Sequence, residues 1–281
     1  MFKKVAIISS KKDLASTNIK EQLISIFPFK ETELLFDSNK VYELKDNRLD
    51  AKIFTINSKL VNAENLDELI DAELFVFISK HQSKSSIPSL CIHTQGNISE
   101  AQLGGRPKNI AVSPACYLKQ GLKNLNELNS INFDVVQEAT HHGPTINKPS
   151  FFIEVGSTEK EWSNQKACSI VAVALMKTLR SVEPCISAIG IGGPHTTPNF
   201  RKIILNTNIG LGHVCAHYNL PDLDRAMIEQ MLDKTTPKPS LIILDWKGLK
   251  HEKQRILKII EEISSERNVK VIRTKDFKIN P

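Results

Sequence analysis

The adjacent histidines His141 and His142 are the first candidates for chemistry in this sequence. They follow the apolar segment 133–136 and are followed at once by Gly143 and Pro144. Neighbouring side chains on an extended strand point to opposite faces, so both imidazoles can serve one site only if the strand breaks here. Glycine and proline supply such a break. The stretch therefore predicts imidazoles at a strand end, and the alternative is a polar loop with two surface histidines.

Four other apolar segments also contain or precede histidine, glutamate or glycine. His81 follows 74–78, His93 follows 90–92, Glu154 lies in 151–155, and His195 comes after 185–189. Ligands of open α/β sheets bind outside the carboxyl ends of the strands. These strand ends therefore predict one shared site.

Imidazole and carboxylate groups suit a catalytic zinc ion, which polarises carbonyls and lowers the pKa of bound water. The predicted metal ligands are His81, His93, His142, Glu154 and His195, and the predicted catalytic residues are Glu138, His141 and His142. The spacing leaves the division of roles open, because no His-Glu-x-x-His signature is present. Each histidine alone has a structural alternative. A serine nucleophile is disfavoured, because Ser157 lacks the Gly-x-Ser-x-Gly elbow.

The remaining histidines are weaker candidates for the site. His213 and His217 are expected on one face of a strand, where His213 joins the site and His217 is structural. His251 opens a charged helix and is expected to be solvated. Gly190-Ile-Gly-Gly193 lacks the full spacing of a nucleotide-binding loop.

Composition narrows the class of protein. The 281 residues carry 37 Lys+Arg against 31 Asp+Glu, a net charge of +6, which favours a polyanionic partner such as RNA. No run approaches the roughly 20 apolar residues that cross a bilayer, and the first residues are typical of a buried strand, so we expect a cytoplasmic protein without a membrane partner. The five cysteines stand singly, which argues against disulfides and a thiolate zinc site.

Strands alternating with helices predict one α/β domain over residues 1–281. We expect a mostly parallel or mixed central sheet with helices on both faces. The predicted elements include a strand at 203–205, one long helix over about 159–179, and a strand at 241–244 in the same sheet as the others.

Six motifs, in order, resemble the archaeal and plant type of D-aminoacyl-tRNA deacylase. They are Ser79-Lys-His-Gln-Ser83, Cys91-Ile-His-Thr-Gln-Gly-Asn97, Glu138-Ala-Thr-His-His-Gly-Pro-Thr145, Glu154-Val-Gly-Ser-Thr158 with Trp162, Gly192-Gly-Pro-His195 with Pro198, and Gly212-His213. The resemblance covers about residues 1–275. Two positions depart from it, since the family usually has Arg at Lys80 and Tyr at Thr196.

The resemblance implies hydrolysis of the ester that joins a D-amino acid to the 3′ end of tRNA. It further implies zinc as cofactor, one or two ions per chain, and a fold related to phosphorylases and peptidyl-tRNA hydrolases. Metal- or His/Glu-activated water would attack the ester, and Lys and Arg would hold the tRNA phosphates. The residues expected to bind the substrate are Gly143, Gly156, Ser157, Thr158, Gly192, Gly193 and His213.

Two other functions remain open from the sequence alone. A metallo-amidohydrolase or peptidase would act on small substrates without tRNA. A non-catalytic RNA-binding protein would use its histidines structurally, but it would favour Lys, Arg and aromatic residues at the strand ends. We expect a monomer or a small homo-oligomer. The sequence does not indicate which D-amino acid is preferred.

Overall fold

A computed structural model describes residues 1–279 of the chain. Its helices are α1 (Leu14–Ile26), α2 (Leu66–Leu69), α3 (Ala115–Leu128), α4 (Glu159–Trp162), α5 (Gln165–Arg180), α6 (Pro198–Asn206), α7 (Arg225–Asp233) and α8 (Lys253–Arg267). Its strands are β1 (Lys4–Ser10), β2 (Lys30–Phe36), β3 (Asn39–Lys45), β4 (Asp50–Ile56), β5 (Leu74–Gln82), β6 (Ser89–His93), β7 (Gly96–Asn97), β8 (Asn109–Ile110), β9 (Ser113–Pro114), β10 (Asp134–Gln137), β11 (Ser150–Ser157), β12 (Ile186–Ile191), β13 (Ile209–Cys215), β14 (Thr235–Thr236), β15 (Leu241–Leu244) and β16 (Lys270–Arg273).

The largest sheet has eight strands in the order β10-β6-β11-β5-β1-β4-β3-β2. β1 pairs in parallel with β4 and β5, and β11 pairs in parallel with β5 but antiparallel with β6. The hairpin of β2 and β3 completes the far edge in antiparallel pairing. The predicted mixed α/β sheet is thereby confirmed.

Alternating side chains of the central strands pack against both faces of this sheet. In β5, Leu74 and Val76 belong to one buried cluster with residues of α1, α3 and α5, whereas Phe75 and Phe77 belong to another with Leu60 and other residues of the loop between β4 and β5. Both faces are buried, which explains the nearly continuous apolar run of this strand.

A second, parallel sheet has the order β13-β12-β15-β16. Ala188 and Leu211 of this sheet join the same buried cluster as β5, so one continuous core connects the two sheets. The opposite face packs against α7 and α8. The strand at 241–244 therefore lies in a separate sheet, contrary to the prediction that it extends the first.

Other local predictions need correction. The expected strand at 203–205 lies in α6, which starts with Pro198 and buries Phe200, Ile203 and Ile204 at helical spacing. The expected long helix is divided into α4 and α5, because the Asn164 side chain accepts hydrogen bonds from the first backbone amides of α5.

Cys116 and Cys185 form a disulfide, contrary to the expectation of unpaired cysteines. The other cysteines, Cys91, Cys168 and Cys215, are free and buried as expected. Within residues 1–279, no helix is long and apolar enough to span a bilayer.

Candidate active site

The site lies between the two sheets, where the ends of β5 and β11 and the oppositely directed ends of β6 and β10 contribute side chains. The chain leaving β10 joins the two sheets, because Glu138 N donates to Ile92 O of the large sheet and Thr140 N donates to Val214 O of the small one. Between these bonds, Ala139 N donates to His195 O. Glu138 and the histidine pair are thereby held against β6 and against the loop after β12.

Glu138 is the buried centre of the site. Its Oε2 lies 3.2 Å from His81 Nδ1, and its Oε1 lies 3.1 Å from His195 Nε2. Neither nitrogen is aligned well enough to make a hydrogen bond in this arrangement, so both carboxylate oxygens are buried without a bonded donor. For the electrostatics of Glu138, the short distances matter more than the hydrogen-bond angles. A small rotation of either ring would restore its hydrogen bond, and opposite charges attract in any orientation. A buried carboxylate in this position is stable only beside positive charge.

The two glutamates of the site differ in protonation. Burial opposes ionisation of Glu138, but His195 and His81 outweigh it and hold the pKa of Glu138 well below its usual range. Burial and the neighbouring charge of Glu138 raise the pKa of Glu154 well above its usual range. Carboxyl groups whose pKa values are pushed apart in this way are suited to different roles in proton transfer.

His81 is the charged imidazole of the cluster. Burial lowers its pKa, but the nearby carboxylate of Glu138, with a smaller contribution from Glu154 once that group ionises, outweighs burial and raises the pKa of His81 to about 9. The Glu154 Oε2 atom lies 3.7 Å from His81 Nδ1. At neutral pH His81 is a cation that contacts both glutamates.

His93, His141 and His142 form a group of neutral imidazoles. Their ring centroids lie 4.2 Å (His93–His141), 5.0 Å (His93–His142) and 4.3 Å (His141–His142) apart. Burial lowers the pKa of His93 to about 4 and of His142 to about 3, and it lowers the pKa of His141 well below its usual range. The proximity of the other imidazoles further disfavours protonation of His141 and His142.

Backbone carbonyls orient these three rings. His141 Nδ1 lies 2.8 Å from Ala139 O, His142 Nδ1 lies 2.6 Å from Gly143 O, and His93 Nδ1 lies 3.3 Å from Thr94 O. In a neutral ring that donates through Nδ1, Nε2 carries the lone pair. Nε2 of His93 is buried without a hydrogen-bond partner. The three rings therefore present acceptor nitrogens to one another.

The break after the histidine pair depends on glycine. His142 has a φ of 45°, in the left-handed region, and the next residue packs tightly against a neighbouring loop. A Cβ atom added to Gly143 would lie 2.2 Å from Gly105 N and 2.4 Å from Val61 O. No residue other than glycine fits there, so Gly143 positions the pair by close packing.

Gly156 has a similar packing role beneath His81. The two residues are directly paired across β11 and β5. A Cβ atom on Gly156 would lie 2.6 Å from His81 Cδ2 and 2.8 Å from His81 Cβ. The glycine leaves the space in which the His81 ring lies.

A cavity of about 350 Å³ opens over the site. Its lining includes His81, His141, His142, Glu154 and His195, while His93 and Glu138 lie behind these side chains. A neighbouring cavity of about 430 Å³ lies on the other side of Leu103 and the histidine pair. The site is thus accessible to a ligand from two sides.

The structure brings together all of the predicted catalytic and metal-binding residues. Several of the residues predicted to bind the substrate instead contact other parts of the protein. His213 is buried and lies 3.1 Å from Thr140 Oγ1 and 3.0 Å from Ala111 O. Ser157 donates to Ile87 O, and Thr158 caps α4 with Glu161. The His213, Ser157 and Thr158 side chains therefore make internal contacts.

Gly192 and Gly193 support the loop that leads to His195. Both have positive φ, of 98° and 82°. Cβ atoms would meet Asp245 O and Asp245 Oδ2, each at 2.8 Å. His217 does not lie on the strand with His213, but begins the 3-10 turn at 217–222.

Sequence reasoning missed several residues near the cavity. Lys12 and Lys59 line it from the ends of β1 and β4. Tyr218 OH lies 2.8 Å from His195 Nδ1. Trp162 Nε1 donates to His81 O. Of these residues, only Trp162 was indicated by the sequence, because it accompanies the motif at 154–158.

The fold and the site together define an α/β protein with a cavity lined by histidine and glutamate, and the proteins it matches are hydrolases. A family model described as D-aminoacyl-tRNA deacylase matches residues 68–272. The chain is 38% identical to a D-aminoacyl-tRNA deacylase of Thermococcus kodakarensis over 265 residues, which covers 91% of this chain and 96% of the relative. It is 37% identical to that of Methanosarcina acetivorans over 273 residues, covering 92% and 90%.

A solved structure agrees with these relatives. The crystal structure of a conserved protein of unknown function superposes with a TM-score of 0.89 at 29% identity, covering 98% of this chain and 97% of the other. The chain belongs to the D-aminoacyl-tRNA deacylase family.

Proposed function

We propose that this chain hydrolyses the ester bond between a D-amino acid and the 3′ end of tRNA, with a zinc ion held by His93, His141 and His142. The observation that carries the proposal is the convergence of seven imidazole and carboxyl side chains on one cavity, in a member of this family. An aminoacyl ester is an activated carbonyl compound, so a positioned water and a few polar groups suffice to cleave it.

The donor set of the three neutral histidines fits zinc. One nitrogen from each lies within 4.8 Å of the others. Neutral imidazoles with Nδ1 held by a carbonyl are typical zinc ligands, and the orphaned Nε2 of His93 would gain a partner. A zinc ion bound there would polarise the ester carbonyl and lower the pKa of a bound water.

A second group, Glu138, His141 and His195, has similar spacing. Its use of His141 conflicts with the first group, because Nδ1 of His141 faces Ala139 O and only Nε2 is free. We therefore propose one ion per chain, with Glu138 and His195 left for proton transfer.

His195 is the proposed general base. Its side chain is 33% exposed, so a water molecule can reach it, and Glu138 lies behind it to stabilise the imidazolium that forms. Tyr218 OH lies 2.8 Å from Nδ1, the ring nitrogen that faces away from Glu138. With Nε2–H directed at Glu138, the His195 imidazole accepts a proton from the attacking water at Nδ1, where the water takes the place of the Tyr218 hydroxyl.

His81 and Glu154 lie on the other side of the carboxylate. The His81 cation stabilises negative charge as it develops on the carbonyl oxygen. Glu154, which is protonated, supplies the proton that the departing ribose oxygen needs. These roles follow from the opposite pKa shifts of the two glutamates, downward for Glu138 and upward for Glu154.

The test is release of D-tyrosine from D-tyrosyl-tRNA by the purified chain, with L-tyrosyl-tRNA alongside. We expect release from the D-substrate, loss of release after stringent chelation, and recovery with zinc. Metal content measured by mass spectrometry should be one zinc per chain, and His93→Ala should lower it. Release that survives removal of all metal would contradict the zinc proposal. Hydrolysis of small D-tyrosine amides but not of the tRNA ester would instead indicate an amidohydrolase.

A further inference from the structure

Three lysines lie side by side at the carboxyl edge of the large sheet. Lys59 follows β4, Lys12 follows β1, and Lys80 lies near the end of β5. These strands are adjacent and parallel, in the order β5-β1-β4. Neighbouring strands are about 4.8 Å apart, so the three residues occupy neighbouring positions along this edge. All three line the 350 Å³ cavity.

The amino groups of these lysines have no ion-pair partner in the part of the chain that the structure describes. Lys12 and Lys59 are exposed, and Lys80 Nζ lies 4.5 Å from the centre of the Trp162 ring. Three neighbouring cations without an ion-pair partner provide a binding surface for an anion.

Asp13, the residue after Lys12, also lines the cavity, and its carboxylate oxygens already accept hydrogen bonds. Oδ1 accepts from Ser16 N at 2.9 Å, while Oδ2 accepts from Ser79 Oγ at 3.1 Å and from Lys80 N at 3.0 Å. Asp13 therefore caps α1 and fixes the backbone of Lys80. It leaves the ammonium groups of the three lysines available to a ligand.

The three lysines adjoin the site. In the sheet, β5 is followed by β11, β6 and β10, which carry or lead to Glu154, His93 and Glu138. Lys80 is next to His81 in the same strand. The lysines therefore lie on one side of the imidazole and carboxyl cluster, which begins with His81 on β5 and Glu154 on β11.

The neighbouring cavity differs in charge. Its lining has no lysine or arginine, and its charged residues are Glu100 and Asp222. An anionic part of a substrate is therefore favoured on the lysine side of the histidine pair and disfavoured on the other side.

We infer that Lys12, Lys59 and Lys80 bind the phosphates adjoining the terminal adenosine of tRNA. This inference rests on the proposed function, and it gives the substrate an orientation. The terminal nucleotide enters over the three lysines with its ester at His81 and His195. The three lysines are positioning residues, since they contact phosphates rather than the reacting atoms.

The test compares two substrates that share the ester but differ in phosphate. They are D-tyrosyl-tRNA and 3′-O-(D-tyrosyl)adenosine, which has no phosphate. The variants are Lys12→Gln, Lys59→Gln, Lys80→Gln and the triple replacement. Lys123→Gln is the matched control, because Lys123 is exposed on α3 and away from the cavity lining.

Each single replacement should lower kcat/KM for the tRNA substrate roughly three- to tenfold more than for the adenosine ester. The triple replacement should lower the tRNA value on the order of 100-fold relative to the ester. The dependence of log kcat/KM on log salt should become less steep by about 0.7 for each phosphate that a lysine no longer neutralises. Lys123→Gln should leave the rates and the salt dependence at the wild-type values.

Equal losses on both substrates would overturn the inference, because the lysines would then act on the shape of the catalytic cavity. No loss on either substrate would also overturn it. A wild-type chain that hydrolyses neither substrate would refute the proposed function itself, which is a distinct outcome. Circular dichroism of each variant shows whether a loss reflects misfolding, and the salt dependence of any folded single variant still decides the question.

Discussion

Replacing Glu138 with glutamine tests the charge balance of the site. Glu138 holds the pKa of His81 at about 9 in the folded chain, against 6.5 for an ordinary histidine. A raised pKa of this kind stabilises the fold fully below about pH 6.5, and the stabilisation is lost as pH rises through about 9. At about 1.4 kcal/mol per pH unit, the difference corresponds to about 3 kcal/mol. The lowered pKa of Glu138 reflects the same attraction and is not added.

In Glu138→Gln the amide has no charge, so most of this pH dependence should disappear. We expect the free energy of unfolding of the wild-type chain to fall more than that of the variant between pH 6.5 and 9, by about 2 kcal/mol or more. The absolute stability is a poor readout, because removing a buried carboxylate also removes its cost of desolvation. Subtracting the free energy of unfolding of the variant from that of the wild-type chain cancels the contribution of the buried cysteines, which titrate in the same pH range after unfolding.

The assay is urea unfolding of chelator-treated protein, followed by circular dichroism at half-unit steps of pH. Glu33→Gln is the control, since the Glu33 side chain is fully exposed. Parallel curves for the wild-type chain and Glu138→Gln would refute the view that Glu138 holds the proton on His81. NMR titration of the His81 ring should give the same answer, with its pKa falling in the variant.

Two further replacements test the packing that positions the site. Gly156→Ala places a methyl group 2.6 Å from His81 Cδ2, so His81 must move. We expect the rate of D-tyrosyl-tRNA hydrolysis to fall roughly 100-fold and the free energy of unfolding to fall by about 1–3 kcal/mol. An unchanged kcat would contradict this. Phe152→Ala removes a buried ring whose centroid lies 4.7 Å from that of Phe77 and 5.3 Å from that of His93. Urea unfolding should show that the free energy of unfolding falls by about 3–5 kcal/mol. A decrease below about 1 kcal/mol would be inconsistent with this packing.

Much of the fold was predictable because buried strands and caps have local signals. The run at 74–78 is apolar throughout, as expected for a strand buried on both faces, and it forms the first five residues of β5. The Asp13 side chain accepts from Ser16 N at the start of α1, and aspartate before a helix is a local capping signal. The side chains at the predicted strand ends do meet, but not because the strands are parallel. β6 and β10 run antiparallel to β5 and β11, so His93 and Glu138 reach the site from the opposite direction.

The errors arose where a short apolar run has two interpretations. Ile203-Ile-Leu205 reads as a strand by composition, but with Phe200 it has helical spacing, and Pro198 favours a helix start. The pairing of Cys116 with Cys185, 69 residues apart, has no local signal at all. The division of strands between two sheets likewise depends on long-range packing.

Within the site, the sequence predicted which residues meet but not what each one contacts. Only the folded structure shows that His141 and His142 both contribute to one imidazole group, while His81 and His195 flank Glu138. Lys12 and Lys59 could not be separated from the many other surface lysines, because their alignment with Lys80 depends on the order of the strands. Glycines expected to admit the substrate instead fit closely against the chain.

The central claim is that these imidazoles cleave the ester of D-aminoacyl-tRNA. It is tested most directly by the single-turnover rate of D-tyrosine release from D-tyrosyl-tRNA by the wild-type chain and by His142→Ala, with His251→Ala as the control on an exposed residue. We predict release by the wild-type chain and by His251→Ala at equal rates, and a rate lower by a factor on the order of 100 or more for His142→Ala. A wild-type rate in His142→Ala, or no release by the wild-type chain, would contradict the claim.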